Sequence, residues 1–379
     1  MNEVRMFSSK VRLQAGEPLG GSDPERFSAE ESDALEVNGV CLMGDDGQEY
    51  RLCSIDALYP GKLVEKYAGG GGVHIFAASH THYAPMLDDN KPLIGYFSPS
   101  GLHAYVEALE TSTKTIVQPT RYSLYRGEVD VPVYRRFDFP QNFLNRWLTQ
   151  RCGFYPNDSK QIDRSICILV FGDAEKDLFA VVHHACHPVT LGVSCEVSAD
   201  YVGAIRAAVR ERFSLSTVLF FQGCAGDIRP NLAQKRFGWL PRMRLNWRFN
   251  WRPDKIAVED VYCRYSRAVT NAIHQKSFEL TEGFRVRSQE VSTKGHGVVP
   301  VSKWAIPGGV EFHFFPFELS HLYHLTSQKS AGDRFIVSCA NDVLGYLSHP
   351  SQYSAGGYEV EGSLHFMGLT EKIEIKEAL

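Results

Sequence analysis

The feature that most constrains the fold is a set of short apolar runs bounded by Gly, Asp or Ser: SICILVF (165–171), KDLFAVVHHA (176–185) and STVLFFQGC (216–224). Their length and their β-branched and aromatic residues predict buried strands. Between the last two, SADYVGAIRAAVRERF (198–213) opens on a Ser-x-Asp cap signal and is amphipathic, which predicts a helix. Strand and helix alternate, so the sequence predicts an α/β fold with a mixed β-sheet core flanked by helices.

Further elements follow from local patterns. Residues 36–59 predict two strands joined by a hairpin at GDDG (44–47), and VHIFAAS (73–79) predicts a short apolar strand. Helical spacing predicts helices over 98–117 and 256–278. No linker rich in Pro, Gly or Ser divides the chain, so we expect a single domain over residues 1–379.

Composition excludes several classes of protein. The chain has 379 residues, is 44% hydrophobic and carries a net charge of −4, so neither nucleic acid nor an anionic membrane is expected as its main partner. The start lacks the apolar core of a signal peptide, and no run approaches the roughly 18 apolar residues of a membrane span. Nine scattered cysteines without CxxC spacing indicate reduced thiols. We therefore expect a cytoplasmic protein.

Polar residues recur where the predicted strands end. The stretches that share this feature are AASHTHYAP (77–85), VVHHACHPVTLG (181–192), FFQGCAGDIRPN (220–231), FFPFELSHLYH (314–324) and SCANDVLGYLSHPSQYSAGGYE (338–359). Ligands in open α/β sheets bind beyond the carboxyl ends of strands. Several such ends converging would build an active site there.

The residue types at these ends suit a metal ion. Neutral imidazoles from His80, His82 and His187 with the carboxylate of Glu318 are a ligand set that zinc accepts. His80 and His82 share a face if the strand is regular, whereas at a strand end one can ligate while the other faces substrate. Hydrogen-bonded core histidines are the alternative, and no HExxH motif decides between them.

Taken together, these motifs resemble a known family. ASHTHYAP, HPVTLG followed by VSADYVG, FFQGCAGDIRPN, FELSHL and NDVLGYLSHPSQYSAGGYE occur in the order and approximate spacing of the neutral ceramidases, from about residue 36 to about residue 363. Members of that family are zinc-dependent amidases that cleave the N-acyl bond of ceramide. The resemblance implies a ceramidase-like catalytic domain, Zn²⁺ as cofactor and a small-molecule or lipid-like N-acyl substrate.

Residue roles carry over motif by motif. The resemblance implies these metal ligands: His80, His187, Glu318 and Tyr346. It places His82 beside the metal, against the scissile carbonyl or the attacking water, and makes Tyr358 a hydrogen-bond donor to substrate. Arg135 matches a family arginine near the site only loosely.

Two aspartates complete the implied site. Asp227 is a candidate catalytic residue that could also orient a ligand imidazole or hold the metal loops together, and Asp200 could do the same. For Asp200, a simple helix cap is the alternative.

One departure from the family bears on the substrate. The family's GD(V/I)SPN segment carries an active-site serine, and Arg229 stands at that position here. Arginine cannot replace a nucleophile, so either the metal-activated water suffices, or the protein is catalytically silent, or the substrate differs. A guanidinium there suggests an anionic substrate group. Tyr83 and Ala84 also replace the family's Ser-Gly, and the family's C-terminal immunoglobulin-like domain is expected to be missing.

A basic, aromatic segment lies outside the resemblance. Residues 235–255, KRFGWLPRMRLNWRFNWRPDK, could contact an anionic lipid surface, form a lid or rim over the pocket, or be a solvated surface loop. Nucleic acid is the least favoured partner. The sequence thus predicts a zinc-dependent amide hydrolase. Its alternatives are a silent binding protein for an anionic amphiphile and a deacetylase of an N-acyl sugar.

Overall fold

A computed structural model describes residues 3–21, 23–44, 46–68, 72–139, 151–235, 247–327 and 333–375. The α-helices within these ranges are α1 Lys62–Tyr67, α2 Pro99–Glu110, α3 Tyr201–Phe213, α4 Lys255–Thr270, α5 His321–Ser327 and α6 Leu364–Met367. A 3₁₀-helix at Pro350–Ala355 and a π-helix at Tyr358–Gly362 follow one another near the end of the described chain.

The strands of the first half of the chain are β1 Val4–Lys10, β2 Glu30–Glu31, β3 Glu36–Met43, β4 Glu49–Ile55, β5 Val73–Ala78, β6 Thr115–Val117, β7 Arg121–Glu128, β8 Pro132–Asp138, β9 Cys152–Asn157, β10 Ser165–Gly172 and β11 Asp177–His184. Those of the second half are β12 Glu196–Val197, β13 Thr217–Gln222, β14 Ile228–Pro230, β15 Ala233–Lys235, β16 Trp247–Phe249, β17 Ile273–Glu279, β18 Arg285–Lys294, β19 Gly297–Ile306, β20 Val310–Phe314, β21 Phe317–Leu319, β22 Asp333–Val337, β23 Gly345–Leu347 and β24 Glu374–Ile375.

The first sheet has the order β5-β4-β3-β1-β6. β3 and β4 form the antiparallel pair predicted over 36–59, and β5 lies parallel to β4. Alternate residues of β3 enter different cores: Val37 and Cys41 face α1 and α2, while Val40 and Leu42 face the interior between sheets. This alternation is the period of two expected of a strand that is covered on both faces.

The second sheet has the order β13-β11-β10-β7-β17. It contains the predicted apolar runs as β10, β11 and β13, with β13 parallel to β11. The predicted helix over 198–213 is α3, which connects those parallel strands and packs with α4 on the outer face of the sheet. The predicted α/β class with a mixed sheet and flanking helices is therefore confirmed.

A third sheet, of order β22-β20-β19-β18-β24, closes the interior. Trp304 on β19 packs against Phe171 of the second sheet and Phe312 of the third. Leu52 of the first sheet belongs to the same buried cluster. One apolar core thus joins all three sheets.

Both long predicted helices are shorter than expected. α2 ends at Glu110, and the β-branched residues that follow form β6, which pairs with β1. α4 ends at Thr270, and the next residues form β17, which pairs with β7. Pairing with a distant strand overrides the local helical spacing in both places.

The parallel strands of the fold end close to one another. Loops that follow β5, β11 and β13 meet the small parallel pair β21 and β23. Within the residues described, no helix is long and apolar enough to cross a membrane.

Candidate metal centre

His80 lies directly after β5 in a constrained backbone. Its φ of 68° is left-handed, and its amide donates to the Ala57 carbonyl at 2.9 Å. The imidazole Nδ1 lies 3.0 Å from the Leu58 carbonyl oxygen, which makes Nδ1 the donor and directs Nε2 at the Glu318 carboxylate. This is the tautomer in which Nε2 can bind a metal.

His187 lies in the loop after β11 with the same orientation. Its Nδ1 lies 2.6 Å from the Ala225 carbonyl oxygen and 3.0 Å from that of Ile228, both in the loop after β13. Burial and the charge of Arg135 lower the pKa of His187 to about 4. The imidazole is therefore neutral, as a metal ligand must be.

Glu318 supplies the carboxylate that faces both histidines. Its Oε2 lies 3.2 Å from His80 Nε2 and 3.3 Å from His187 Nε2. Its Oε1 accepts a hydrogen bond from the Tyr59 hydroxyl. Burial alone would raise the pKa of Glu318, but His80 and His187 outweigh it and hold that pKa well below the usual value. A buried negative charge thus attracts positive charge, which a proton or a metal ion can supply.

Tyr346 lies opposite Glu318 in the parallel pair β21 and β23. Its hydroxyl is 3.5 Å from His187 Nε2. Burial and Glu318 raise the pKa of Tyr346 well above the usual value, so the phenol keeps its proton. The four predicted metal ligands are therefore brought together, and their ligand roles remain predictions.

His82 joins this group more closely than the sequence indicated. One ligand atom from each of His80, His82 and His187 lies within 4.8 Å of the others. Gly21 makes room for the His82 ring: a Cβ on this glycine would lie 2.4 Å from His82 Nδ1. Sequence reasoning missed Gly21, because no local pattern connects it to the histidine.

The donor set fits a divalent ion. Across the described ranges, His80 Nε2 and Glu318 Oε2 are buried and lack a hydrogen bond of normal geometry. Buried polar atoms rarely stay unsatisfied unless an ion, a ligand or water completes them. Two imidazole nitrogens and one carboxylate oxygen match the preference of zinc, with His82 or Tyr346 as a further candidate.

Arg135 contacts the metal-ligand candidates directly. Its guanidinium lies 3.3 Å from His187 Nε2 and 3.2 Å from the Tyr346 hydroxyl. Glu359 accepts a hydrogen bond from Arg135 at 2.8 Å and another from Arg136 at 2.5 Å. The loose sequence match had placed Arg135 near the site, whereas Glu359 and Tyr59 were not predicted.

A pocket of about 890 Å³ opens over the histidines. His82, His187 and Tyr346 line it together with two further predicted residues, Tyr358 and Arg229. The rings of Tyr346 and Tyr358 lie 5.6 Å apart. Most of the predicted site residues therefore share one cavity.

The two aspartates lie behind this pocket rather than in its lining. Asp227 accepts hydrogen bonds from Ser320 Oγ at 2.6 Å, the His321 amide at 2.8 Å and Gln352 Nε2 at 2.8 Å. These contacts support the alternative in which Asp227 holds the loops of the site together.

Asp200 begins α3. It accepts hydrogen bonds from the amides of Tyr201 and Thr190, and thereby ties the helix to the loop that carries His187. Burial raises the pKa of Asp200 to about 7. Asp200 therefore caps the helix and also holds the His187 loop, so its contacts are consistent with both alternatives.

About half of the basic segment 235–255 lies outside the described residues, since 236–246 are not described. Two described aromatic residues near its end, Phe249 and Trp251, pack against Arg229, and Trp251 also lines the pocket. A lid or a contact to an anionic surface through this segment remains a prediction.

The described chain is a mixed α/β fold whose parallel strands end at a buried cluster of histidines and a carboxylate. Solved structures of other proteins are similar to it. Neutral ceramidase from Pseudomonas aeruginosa matches with a TM-score of 0.66 and 15% identity, covering 94% of this chain and 70% of that chain. A ceramidase complexed with C2 matches with a TM-score of 0.65 and 14% identity, covering 94% and 71%.

No family model matches the sequence, and a search of curated proteins finds no significant match. The two structural matches show that the chain has a neutral ceramidase-like fold, as the resemblance implied. At such low identity the likeness shows the fold alone, and the function has to be argued from the site.

Proposed function

We propose that this protein is a zinc-dependent hydrolase that cleaves an N-acyl amide bond. The observation that carries the proposal is the Glu318 carboxylate oxygen, which is buried and lies 3.2–3.3 Å from the Nε2 atoms of His80 and His187 beside an open pocket. The ceramidase-like fold supports an amide as the bond that is cleaved.

His80, His187 and Glu318 would hold the ion, with His82 or Tyr346 as a further ligand. When bound in such a site, Zn²⁺ polarises a carbonyl group and lowers the pKa of a water molecule towards 7. Carbonyl oxygens of Leu58 and Ala225 fix the histidine rings, and the Tyr59 hydroxyl fixes the carboxylate. Such contacts orient ligands and raise metal affinity.

The chain also supplies His82 and Tyr358 as groups that can hydrogen-bond the reacting atoms. Hydrolysis forms a bond between the carbonyl carbon and the water oxygen, breaks the C–N bond and transfers a water proton to the leaving nitrogen. Burial and the neighbouring His80 and His187 lower the pKa of His82, so its imidazole is neutral and can hydrogen-bond the attacking water or the scissile carbonyl. Burial raises the pKa of Tyr358 to about 12, so its phenol stays protonated and can hydrogen-bond the carbonyl oxygen.

The test combines metal content with hydrolysis of a panel of N-acyl amines. We expect about one zinc per chain in the wild type, and a loss of affinity of at least about 10–100-fold in His80→Ala and Glu318→Gln, together with loss of hydrolysis. His103→Ala is the control, because His103 is exposed on α2. Zinc content and hydrolysis unchanged in both site variants would contradict the proposal.

If the purified protein holds no zinc and hydrolyses none of the panel, yet binds an anionic amphiphile, the result would favour the alternative of a catalytically silent binding protein. The same panel tests the alternative of a deacetylase of an N-acyl sugar, since an acetylated amino sugar is one of its members. Ceramide itself is another member.

A further inference from the structure

Arg229 is a buried cation at the centre of β14 whose side chain lines the pocket. Only 3% of its surface is exposed. Its backbone lies opposite Val133 of β8, so the strand fixes where the side chain begins. The position is therefore built into the sheet and does not depend on a surface loop.

Among the described residues, Arg229 differs from the other buried arginines in having no hydrogen-bond acceptor. Arg135 and Arg136 share Glu359, Arg206 pairs with Asp56, and Arg26 donates to backbone carbonyls. No described residue accepts a hydrogen bond from the Arg229 side chain or forms an ion pair with it, and its Nε is buried without a partner. Burying an unpaired charge is costly, so proteins rarely keep one without a ligand or a function.

Aromatic rings hold the guanidinium in place. Its central carbon lies 4.4 Å from the ring centroid of Phe249, 4.6 Å from that of Trp251 and 5.6 Å from that of Phe154. Cation–π contacts offset part of the cost of burial, but an aromatic face is only a weak acceptor for N–H donors. The donors of Arg229 therefore stay available in a fixed orientation.

The guanidinium shares its pocket with His82, His187 and Tyr346 of the candidate metal centre. The Phe154 ring that contacts Arg229 also lies 5.0 Å from the central carbon of Arg135, whose guanidinium contacts His187. Burial and Arg135 lower the pKa of Arg229 to about 10, so it is still charged at neutral pH.

The remaining charges do not neutralise Arg229. Besides the histidines, the other charged residues that line the pocket are Arg135, already paired with Glu359, and the exposed Arg151 and Glu361. An exposed carboxylate is screened by solvent and compensates a buried charge only weakly.

We infer that Arg229 is an oxyanion-binding subsite, and that the substrate carries a carboxylate or a related oxyanion near the amide that is cleaved. The planar guanidinium can grip two oxygens of one anion at once, which also orients the neighbouring amide. This inference rests on the proposed amide hydrolysis and narrows its substrates to acidic N-acyl compounds such as N-acyl amino acids.

The test uses probes of matched shape: N-octanoylglycine, its neutral counterpart N-octanoylglycinamide, and N-octanoyl-aminomethylphosphonate. We expect the wild type to prefer the carboxylate or the phosphonate over the neutral amide in kcat/KM, and the ratio of the two acids shows which anion fits. Arg229→Gln should lower kcat/KM for the preferred acid by about 10–100-fold more than for the neutral probe.

Arg252→Gln is the matched control. It removes the same charge from Arg252, an exposed residue next to Trp251. Arg252 itself does not line the pocket, so the preference for the acid should persist. Thermal unfolding of each variant checks the fold. A wild type that prefers the neutral probe, or an Arg229→Gln variant that affects all three probes equally, would overturn the inference.

Binding measurements separate this inference from the proposed hydrolysis. If the wild type cleaves none of the probes, the hydrolase proposal fails for them. Calorimetry then still shows whether an acid binds more tightly than N-octanoylglycinamide and whether Arg229→Gln removes the difference. If all probes are cleaved alike and bind alike, the hydrolase stands and the subsite is wrong.

Discussion

At the residue scale, the most unusual feature of the site is the backbone conformation of His80. A non-glycine residue with a left-handed backbone is disfavoured by about 1–2 kcal/mol. Hydrogen bonds from the His80 amide to Ala57 and from its Nδ1 to Leu58 hold the residue there. Strain of this kind persists where surrounding contacts fix it, and it places the imidazole beside Glu318.

Gly21→Ala should displace His82 without unfolding the protein. The added methyl group would lie 2.4 Å from His82 Nδ1, and the φ of +111° adds backbone strain. We expect hydrolysis to fall at least about tenfold, because displaced catalytic groups are costly. Gly16→Ala is the matched control: its φ is +88°, and no atom lies within 4 Å of the new methyl group.

Both variants should lose about 1–2 kcal/mol of unfolding free energy in urea, as left-handed alanine does. Only Gly21→Ala should lose activity. Equal activity in the two variants would show that the His82 position is not important for the reaction.

Individual site residues differ in how far the sequence could predict them. His80, His187, Glu318 and Tyr346 stand in recognisable motifs, and the structure brings them together. Tyr59 was not predicted, because its contact to Glu318 joins residues 259 positions apart. Arg229 was visible in the sequence as a departure from a motif, whereas its lack of an acceptor within the described ranges emerges only once its neighbours are known.

At the element scale, α3 is fixed at both ends. Asp200 ties its N-terminus to the loop that carries His187. Further along, Arg206 pairs with Asp56, and Arg210 donates to Glu36 at 2.6 and 2.8 Å. The helix therefore connects the second sheet, on which it packs, to the first.

The elements that could be predicted are those fixed by local pattern. β10, β11, β13 and α3 have a period or an apolar run of their own, and all four were predicted. β6 and β17 lie where helical spacing continues, and only pairing with distant strands decides their conformation. The partner strands lie far away along the chain, so local sequence cannot predict the conformation of β6 and β17.

Glu36→Gln should weaken the connection between α3 and the first sheet in a pH-dependent way. Burial raises the pKa of Glu36, but Arg210 and Arg206 outweigh it and lower that pKa from 4.5 to about 2. A lowered acid pKa stabilises the fold above the unfolded value, and this stabilisation is lost as pH falls through the folded value. Glu36 should contribute about 3 kcal/mol at neutral pH.

Urea unfolding at pH 6 and pH 3 measures this contribution. The stability difference between wild type and Glu36→Gln should shrink by about 2 kcal/mol at the lower pH. Glu107→Gln, at an exposed position of α2, should show no such change. A difference that is constant between the two pH values would show that the charge of Glu36 does not provide the stabilisation.

At the scale of the whole molecule, the site depends on all the layers being packed. His80 follows a strand of the first sheet, His187 follows a strand of the second, and Glu318 and Tyr346 come from the small pair β21 and β23. Arg229 lies on β14, which pairs with β8 in a further small sheet. No layer contains the ligand set by itself. The centre should therefore form only when the shared core holds the sheets together.

Trp304→Ala tests whether the sheets share one cooperative core, which the prediction of a single domain requires. Trp304 is fully buried and packs against Phe171, Phe284 and Phe312, with ring centroids 5.5–5.9 Å away. Truncating a buried tryptophan leaves a cavity and costs about 3–5 kcal/mol. The cost should lower one transition that circular dichroism, intrinsic fluorescence and release of the proposed zinc ion all report at the same urea concentration.

Ile116→Ala, at a residue that is 61% exposed on β6, should cost less than about 1 kcal/mol. Separate transitions, with zinc release unaffected by Trp304→Ala, would show that the sheets unfold independently. In that case the metal centre would not need the shared core, and the site would be stabilised by its own loops. A single shifted transition would instead mean that stability of the interior and metal binding at the strand ends are properties of one folding unit.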